Sequence, residues 1–256
     1  MNIVAVIPVF NHGDAVGAVV ARLRGYGLPV ILVNDGSNAA CSQILQTLAD
    51  TAKSETGLPP VRLLAHPENR GKGAAVMTGL ACAHEQDCSH ALQVDADGQH
   101  DLDAVPAFLN AAAEQPEAII NACPRYDNSV PKSRLYGRYL THAWVWINTL
   151  SLRIPDSMCG FRIYPLAAVT PLLPILARAN RMDFDTEILV RLDWAAAPIV
   201  NLPVAVRYPA GGLSHFQPLR DNIRISAMHT RLFFGMLRRF PRLIARHWRG
   251  KEVRHA

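Results

Sequence analysis

The chain has 256 residues, half of them hydrophobic, with a formal charge of +5, enough to build one large core and too apolar for a disordered polymer. Its five cysteines, Cys41, Cys82, Cys88, Cys123 and Cys159, show neither CxxC spacing nor histidine pairs nearby, which argues against a disulfide framework or a zinc site and for reduced thiols in a cytoplasmic protein. The opening MNIVAVIPVFNHGD lacks a basic leader and no apolar run reaches the roughly 18 to 20 residues of a membrane span, so any membrane role is expected to be peripheral.

Up to residue 125 short β-rich runs alternate with helical patterns. In chain order these are strand NIVAVIPV, helix HGDAVGAVVARLRGYG, strand PVILVN, helix NAACSQILQTLADTAKSE, strand VRLLAH, helix RGKGAAVMTGLACAHEQ, strand HALQVD, helix DLDAVPAFLNAAAEQ and strand AIINA. Such alternation implies right-handed crossovers and a mainly parallel α/β sheet covered on both faces. Ligands then bind beyond the carboxyl ends of the strands. PVFNHGD, VNDGSN, HPENRGKG and VDADGQHD all stand at such ends and are expected to share one cleft. Further on, SRLYGRYLTHAWVWINTLSLRIP predicts a helix with an aromatic face, DSMCGFRIYPL a loop entering a short strand, FDTEILVRLDWAA a helix, PIVNLPVAVRYPA a strand and GGLSHFQPL a loop.

The simplest division is one domain over 1–219 and a helical tail over 220–256. The tail holds ten Lys/Arg against two Asp/Glu, leaving 16 against 19 for the rest, so the basicity belongs to the tail. HTRLFFGMLRRFPRLIARHWR interleaves arginines with Leu, Phe, Ile and Trp at helical spacing. An anionic membrane surface is the favoured partner, ahead of a helix packed on its own domain; nucleic acid suits so apolar a segment least.

Asp95 and Asp97 present two hard oxygen ligands if the chain turns at Gly98, and Mg²⁺ or Mn²⁺ favours such carboxylates beside substrate phosphates. The alternative is a helix-capping aspartate, but Asp101 is better placed as the N-cap of DLDAVPAF. NRGKGAAVMTG is neither a Walker A loop nor a dinucleotide fingerprint; Lys72 near a helix start either attracts an anion or is a solvated lysine. Asp35 accepts bonds from a nucleobase or ribose, or belongs to an ordinary turn. Arg125, Arg134, Arg138 and Arg162 suit phosphate oxygens, with surface solvation as the plain alternative. Among Asp156, Asp185 and Glu187, spacing alone selects no general base.

Together PVFN, VNDGS, HPENRGKGAA, VDADGQHD and DSMCGFR resemble the inverting family 2 glycosyltransferases, in the branch of dolichol-phosphate mannosyltransferase and the bacterial polyprenyl-phosphate glycosyltransferases. The resemblance covers residues 3 to about 220 and implies a GT-A fold, with a Rossmann-like nucleotide-binding half and amphipathic helices at the C-terminus. It implies a nucleotide-diphosphate sugar donor, with Asp95, Asp97 and Gln99 holding Mg²⁺ or Mn²⁺. Pro8, Phe10 and Asp35 would line the nucleotide site, and Arg125 and Arg162 would hold donor or acceptor phosphates; Asp156 would be the catalytic carboxylate. His12 and Asn34 stand where many relatives carry Glu and Asp, which leaves UDP and GDP both open. His215 or Arg220 would touch the acceptor.

The function so implied is metal-dependent transfer of a sugar to a lipid-linked acceptor, a polyprenyl phosphate or a glycolipid hydroxyl, at the cytoplasmic membrane face. A sugar nucleotidyltransferase and a catalytically silent membrane or partner-binding module are the alternatives.

Overall fold

The computed structural model describes residues 1–125, 132–205 and 218–252. In the first strand, β1 (Ile3–Val9), alternate side chains serve two cores: Ile3, Ala5, Ile7 and Val9 pack on one face of the sheet, Val4 and Val6 on the other. Burial on both faces is what a continuous Val/Ile/Ala run dictates for an interior parallel strand. Then follow α1 (Gly13–Gly25), β2 (Val30–Asp35), α2 (Ala39–Ser54), β3 (Val61–His66), α3 (Lys72–Glu85), β4 (His90–Gln93), a 3₁₀ turn (Leu102–Ala104), α4 (Val105–Glu114) and β5 (Ile119–Arg125). Every strand and helix expected in this stretch is present.

Beyond it come α5 (Lys132–Thr149), β6 (Arg162–Pro165), α6 (Leu166–Val169), a second 3₁₀ turn (Thr170–Leu172), α7 (Leu173–Leu176), α8 (Phe184–Trp194), β7 (Ile199–Ala205) and α9 (Pro218–Glu252). The single-turn helices α6 and α7, interrupted around Pro171 and Pro174, carried no pattern long enough to read. The sheet order is β3-β2-β1-β4-β6-β5-β7. It is mainly parallel, as expected; β6 runs antiparallel to β4 and β5. Helices α1, α2 and α4 cover one face with Val16, Leu45 and Phe108, while α3, α5, α8 and α9 cover the other with Leu80, Val145, Ile188 and Leu232.

The antiparallel strand has a consequence for the site. Arg162, its first residue, pairs with Gln93, the last of β4, so the loop before β6 is delivered to the rim where the parallel strands end.

Helix α9 packs on α5 and α8 through the buried Met228, Leu232, Met236 and Leu243. Arg231 pairs with Glu187 at 2.9 Å, Arg246 with Asp193 at 2.8 Å, and the Arg239 guanidinium lies 4.6 Å from the Trp194 ring. This packing leaves a second apolar stripe, Leu219, Ile223, Phe234, Leu237, Phe240 and Ile244, facing outward. At 100° per residue the exposed Arg220, Arg224, Arg238 and Arg242 form a third face between the other two. Among the described residues no helix is long and apolar enough to cross a membrane.

Candidate active site

Parallel pairing of Val9 with Asn34, Asp35 with His66, and Val6 with Gln93 aligns the carboxyl ends of β1 to β4 along one rim. Pro8 is buried within β1 and Phe10 is half-buried just past its end.

Asp35 closes β2 almost wholly buried, at 2% exposure. Its Oδ1 accepts from Arg70 N at 2.9 Å and lies 2.7 Å from His66 Nδ1; its Oδ2 accepts from Asn69 Nδ2 at 2.9 Å and Gly71 N at 2.8 Å. All four partners belong to the end of β3 and the loop leading to α3, so the carboxylate clamps HPENRG against β2. Gly71 sits at φ +105° where a Cβ would lie 2.4 Å from Asn180 O, which requires glycine. The adjacent turn is made by Asn34: Ser37 N donates to its Oδ1 at 2.9 Å, and its Nδ2 donates to Ser42 Oγ at 3.0 Å.

The clamp aims α3 at the next strand end. Lys72, the first residue of α3, holds its ammonium 2.8 Å from Asp95 Oδ1, 2.9 Å from Asp95 Oδ2 and 2.9 Å from Asp185 Oδ2. Burial opposes the lysine's charge, yet Asp185 and Asp95 outweigh it and raise its pKa well above the usual range. Asp95 is correspondingly held below the ordinary carboxylate value: burial opposes its charge, and Lys72 and then His100 prevail. Behind this pair Gln93 Nε2 donates to Asp185 Oδ1 at 2.8 Å, and the Tyr164 hydroxyl donates to Gln93 Oε1 at 3.1 Å. Gly160 crosses directly over the ion pair; a Cβ there would fall 2.6 Å from Lys72 Nζ and 2.8 Å from Asp95 Oδ1.

Asp97 Oδ1 accepts from Gln99 N at 3.0 Å, closing the turn at Gly98, whose φ is +70°. Asp101 accepts from Asp103 N at 3.1 Å and caps the 3₁₀ turn, in the capping role expected for it. His100, without a role in the sequence, stacks on Phe161 at 5.4 Å, with Nε2 3.7 Å from Cys159 Sγ and 3.9 Å from Asp95 Oδ2. Burial opposes its protonation, but Cys159, Asp95 and Asp97 outweigh that and push its pKa up to about 9.

Asp95 and Asp97 are hard oxygen donors on the turn at Gly98 at the ends of the strands, a set that fits Mg²⁺ or Mn²⁺ with remaining positions filled by phosphate oxygens and water. Among the described residues no group of three or more His, Cys, Asp or Glu is arranged as a metal cage.

Asp156 reaches the same rim in the loop before β6 and is 4% exposed. Arg138 Nε donates to Oδ2 at 2.7 Å and Nη2 to Oδ1 at 3.1 Å; Met158 N and Cys159 N each donate to Oδ1 at 2.9 Å, and His142 Nε2 lies 3.3 Å from Oδ2. Burial works against the charge, but His142 and Arg138 outweigh it and hold the carboxyl well below its usual range.

The expectation that Arg162 holds a phosphate needs correction. Its side chain is fully buried, with Nε donating to Asn121 Oδ1 at 2.9 Å, Nη1 to Asp185 O and Tyr164 OH, and Nη2 to Ser157 O at 2.7 Å. It is an internal strut that fixes the Asp156 loop, because β6 turns this residue into the sheet. Arg138 faces Asp156, whereas Arg125 ends β5 exposed. Glu187, 1% exposed, pairs with Arg191 and Arg231 away from the rim. His215 lies outside the described residues, as does the side chain of Arg134. Gln93, Asn121, His66, His142 and Tyr164 had no place in the sequence reading. A polar residue inside an apolar strand, as in HALQVD and AIINA, was the one available signal, since a buried amide demands a partner.

Residues 4–168 match the model of glycosyl transferase family 2. A dolichyl-phosphate beta-glucosyltransferase of Dictyostelium discoideum is 26% identical over 220 residues, 83% of this chain and 64% of that protein. A UDP-N-acetylglucosamine–dolichyl-phosphate N-acetylglucosaminyltransferase of Methanococcus voltae is 25% identical over 214 residues, 79% of this chain and 84% of that one. The human dolichyl-phosphate beta-glucosyltransferase is 28% identical over 185 residues and is matched over 54% of its length. The match thus spans only about half to two thirds of the eukaryotic proteins. Among solved structures, glucosyl-3-phosphoglycerate synthase from Mycobacterium tuberculosis, in complex with Mn²⁺ and UDP-glucose, shares the fold with a TM-score of 0.62 at 14% identity, covering 93% of this chain and 78% of its own.

Proposed function

Since the chain belongs to glycosyl transferase family 2, we propose that it moves a sugar, with inversion, from a UDP- or GDP-linked donor to a polyprenyl phosphate. The observation that carries the acceptor class is the surrounding of Asp156. A hydroxyl acceptor requires a general base, and efficient bases have a pKa near the operating pH. Asp156 has its two oxygens taken by Arg138 and two backbone N–H groups and is held strongly acidic, so it is a poor base. A phosphate acceptor is already ionised at neutral pH and needs none. The relatives named for transfer to dolichyl phosphate support the same class.

In this reading Asp156 is an electrostatic and positioning group that fixes Arg138 and the loop carrying Gly160. Pro8, Phe10 and the segment clamped by Asp35 line the nucleotide, and Arg125 meets phosphate at the open end of β5. Asp95 and Asp97, with Gln99, hold Mg²⁺ or Mn²⁺ against the donor diphosphate. When bound, the cation neutralises charge on the departing nucleoside diphosphate. In the structure the Asp95 carboxylate is paired with the Lys72 ammonium.

The tail, residues 220–256, is the proposed attachment to an anionic membrane surface at the cytoplasmic face, with 1–219 as the catalytic domain. Its outward stripe adjoins exposed Leu140, Trp144 and Ile147 of α5, Trp144 meeting Phe233 edge-on at 6.3 Å. A continuous apolar surface beside an arginine row suits hydrocarbon plus anionic headgroups better than nucleic acid.

The test is transfer by the full chain from a panel of UDP- and GDP-sugars, with Mn²⁺ or Mg²⁺, to a polyprenyl phosphate or the matching polyprenol. Product on the phosphate alone is expected. Transfer only to the alcohol would overturn the acceptor class, and binding of no donor would favour a catalytically silent module.

A further inference from the structure

Lys72 is held between two carboxylates of unequal freedom. Asp185 is 4% exposed and pinned from the core by Gln93, itself held by Tyr164. Asp95 sits on the rim loop, with its side chain 23% exposed. The ammonium lies within 2.8 to 2.9 Å of Asp95 Oδ1, Asp95 Oδ2 and Asp185 Oδ2, and the Gly160 backbone closes over it so tightly that a methyl group finds no space. An ammonium and a divalent ion cannot share the Asp95 oxygens under that cover.

We propose that Lys72 is a resident counter-ion that competes with the divalent cation for Asp95, and that Asp185 is the positioning residue that draws the lysine aside as the cation enters with its nucleotide. The proposal rests on the reading that Asp95 holds the ion. Its physical basis is charge: the Lys72 ammonium cancels one of the two negative charges of Asp95 and Asp185 and so weakens their attraction for a free dication. A nucleoside diphosphate adds the negative charge that makes entry favourable. Lys72 then turns fully to Asp185, which the core keeps in place to receive it. The resting protein in this scheme discriminates against a bare metal ion and admits the metal with its nucleotide.

The experiment is Mn²⁺ binding without turnover, followed by the electron paramagnetic signal of free Mn²⁺, with and without UDP or GDP. Wild type is expected to bind Mn²⁺ weakly alone and tightly with one of the nucleotides. Lys72→Met is expected to bind Mn²⁺ alone about tenfold more tightly or better, because a unit positive charge has been removed within contact distance. Asp185→Asn is expected to shift the opposite way, about threefold weaker or more, since Lys72 then pairs with Asp95 alone. Lys72→Arg should stay near wild type, and Lys72→Gln replaces Lys72→Met if circular dichroism shows that variant unfolded. A purely structural role would weaken binding in both the lysine and aspartate variants; weaker or unchanged binding in folded Lys72→Met and Lys72→Gln overturns the proposal. Nucleotide-dependent Mn²⁺ binding that is equal in all variants sinks the inference alone. Absence of Mn²⁺ binding in wild type, with either nucleotide, removes the metal reading beneath it too.

Discussion

Arg138 and Asp156 form a two-pronged ion pair at the rim, Nε to Oδ2 at 2.7 Å and Nη2 to Oδ1 at 3.1 Å, with the carboxylate almost out of solvent and the guanidinium partly exposed. Such a pair contributes through its geometry, and without Arg138 the Asp156 carboxylate keeps, among the described residues, only the Met158 and Cys159 N–H groups and His142. Arg138→Met should therefore destabilise the protein by about 2 kcal/mol at pH 7. The pKa of Asp156 is lower in the folded state, so the pair's stabilisation is complete above the unfolded carboxyl's pKa near 4 and fades as pH falls below it. Urea unfolding at pH 7 and at pH 3.5 measures the difference between wild type and variant. An equal difference at both values would contradict the assignment. The transfer rate should likewise show no ionisation from Asp156 near neutrality.

Gly160→Ala puts a methyl group against Lys72 Nζ and the Asp95 carboxylate. Both neighbours are ends of flexible side chains, so the fold can yield and the stability loss should stay near 1 kcal/mol. The displaced carboxylate, in contrast, should lower transfer by roughly a hundredfold, the scale of a 1 Å misplacement in an active site. Thermal melting and the transfer assay separate the two effects; a variant of full activity would mean the carboxylate position is not critical.

His229 of α9 is 5% exposed, with Trp144 stacked on it at 5.9 Å. Asn148 Nδ2 donates to its Nδ1 at 3.3 Å, so that nitrogen is an acceptor and a proton there would face another donor. Burial pushes its pKa down to about 4. The unfolded chain protonates near pH 6.5 and the folded one does not, so stability is greatest above 6.5 and falls as pH drops toward 4. About 2 kcal/mol should be lost between pH 7 and pH 5, a loss that His229→Gln removes. Denaturant titrations at the two pH values decide it.

The outward stripe of α9 gives a salt-sensitive expectation. Full-length protein should float with vesicles containing anionic lipid, less so at 0.5 M salt than at 0.1 M as screening shortens the reach of the arginines. Replacing both Phe234 and Leu237 by Glu, positions that are exposed, should abolish flotation while leaving the melting temperature within a few degrees. Retained flotation in that variant would rule out this face as the contact.

Much of this molecule is readable without coordinates. The continuous apolar run of Ile3 to Val9, the strand ends at Asp35 and His66, and the cap at Asp101 follow from local pattern and turn chemistry, which act over a few residues. Parallel connection then sends four polar segments to one rim.

What local patterns do not specify is which charges face the cleft. Arg162 and Arg138 read alike in the sequence, yet one is an internal strut bonded to Asn121 and the other grips Asp156. Lys72 read as an anion site but lies between Asp95 and Asp185. Those outcomes depend on β6 entering antiparallel between β4 and β5, and on α8 packing under α3, contacts between segments far apart in the chain. Sequence alone determined which polar segments end the strands, because strand ends are marked by local pattern; the order of the strands in the sheet and the pairing of the rim's charges were decided by tertiary structure, because a buried charge takes whichever partner the folded packing brings within reach.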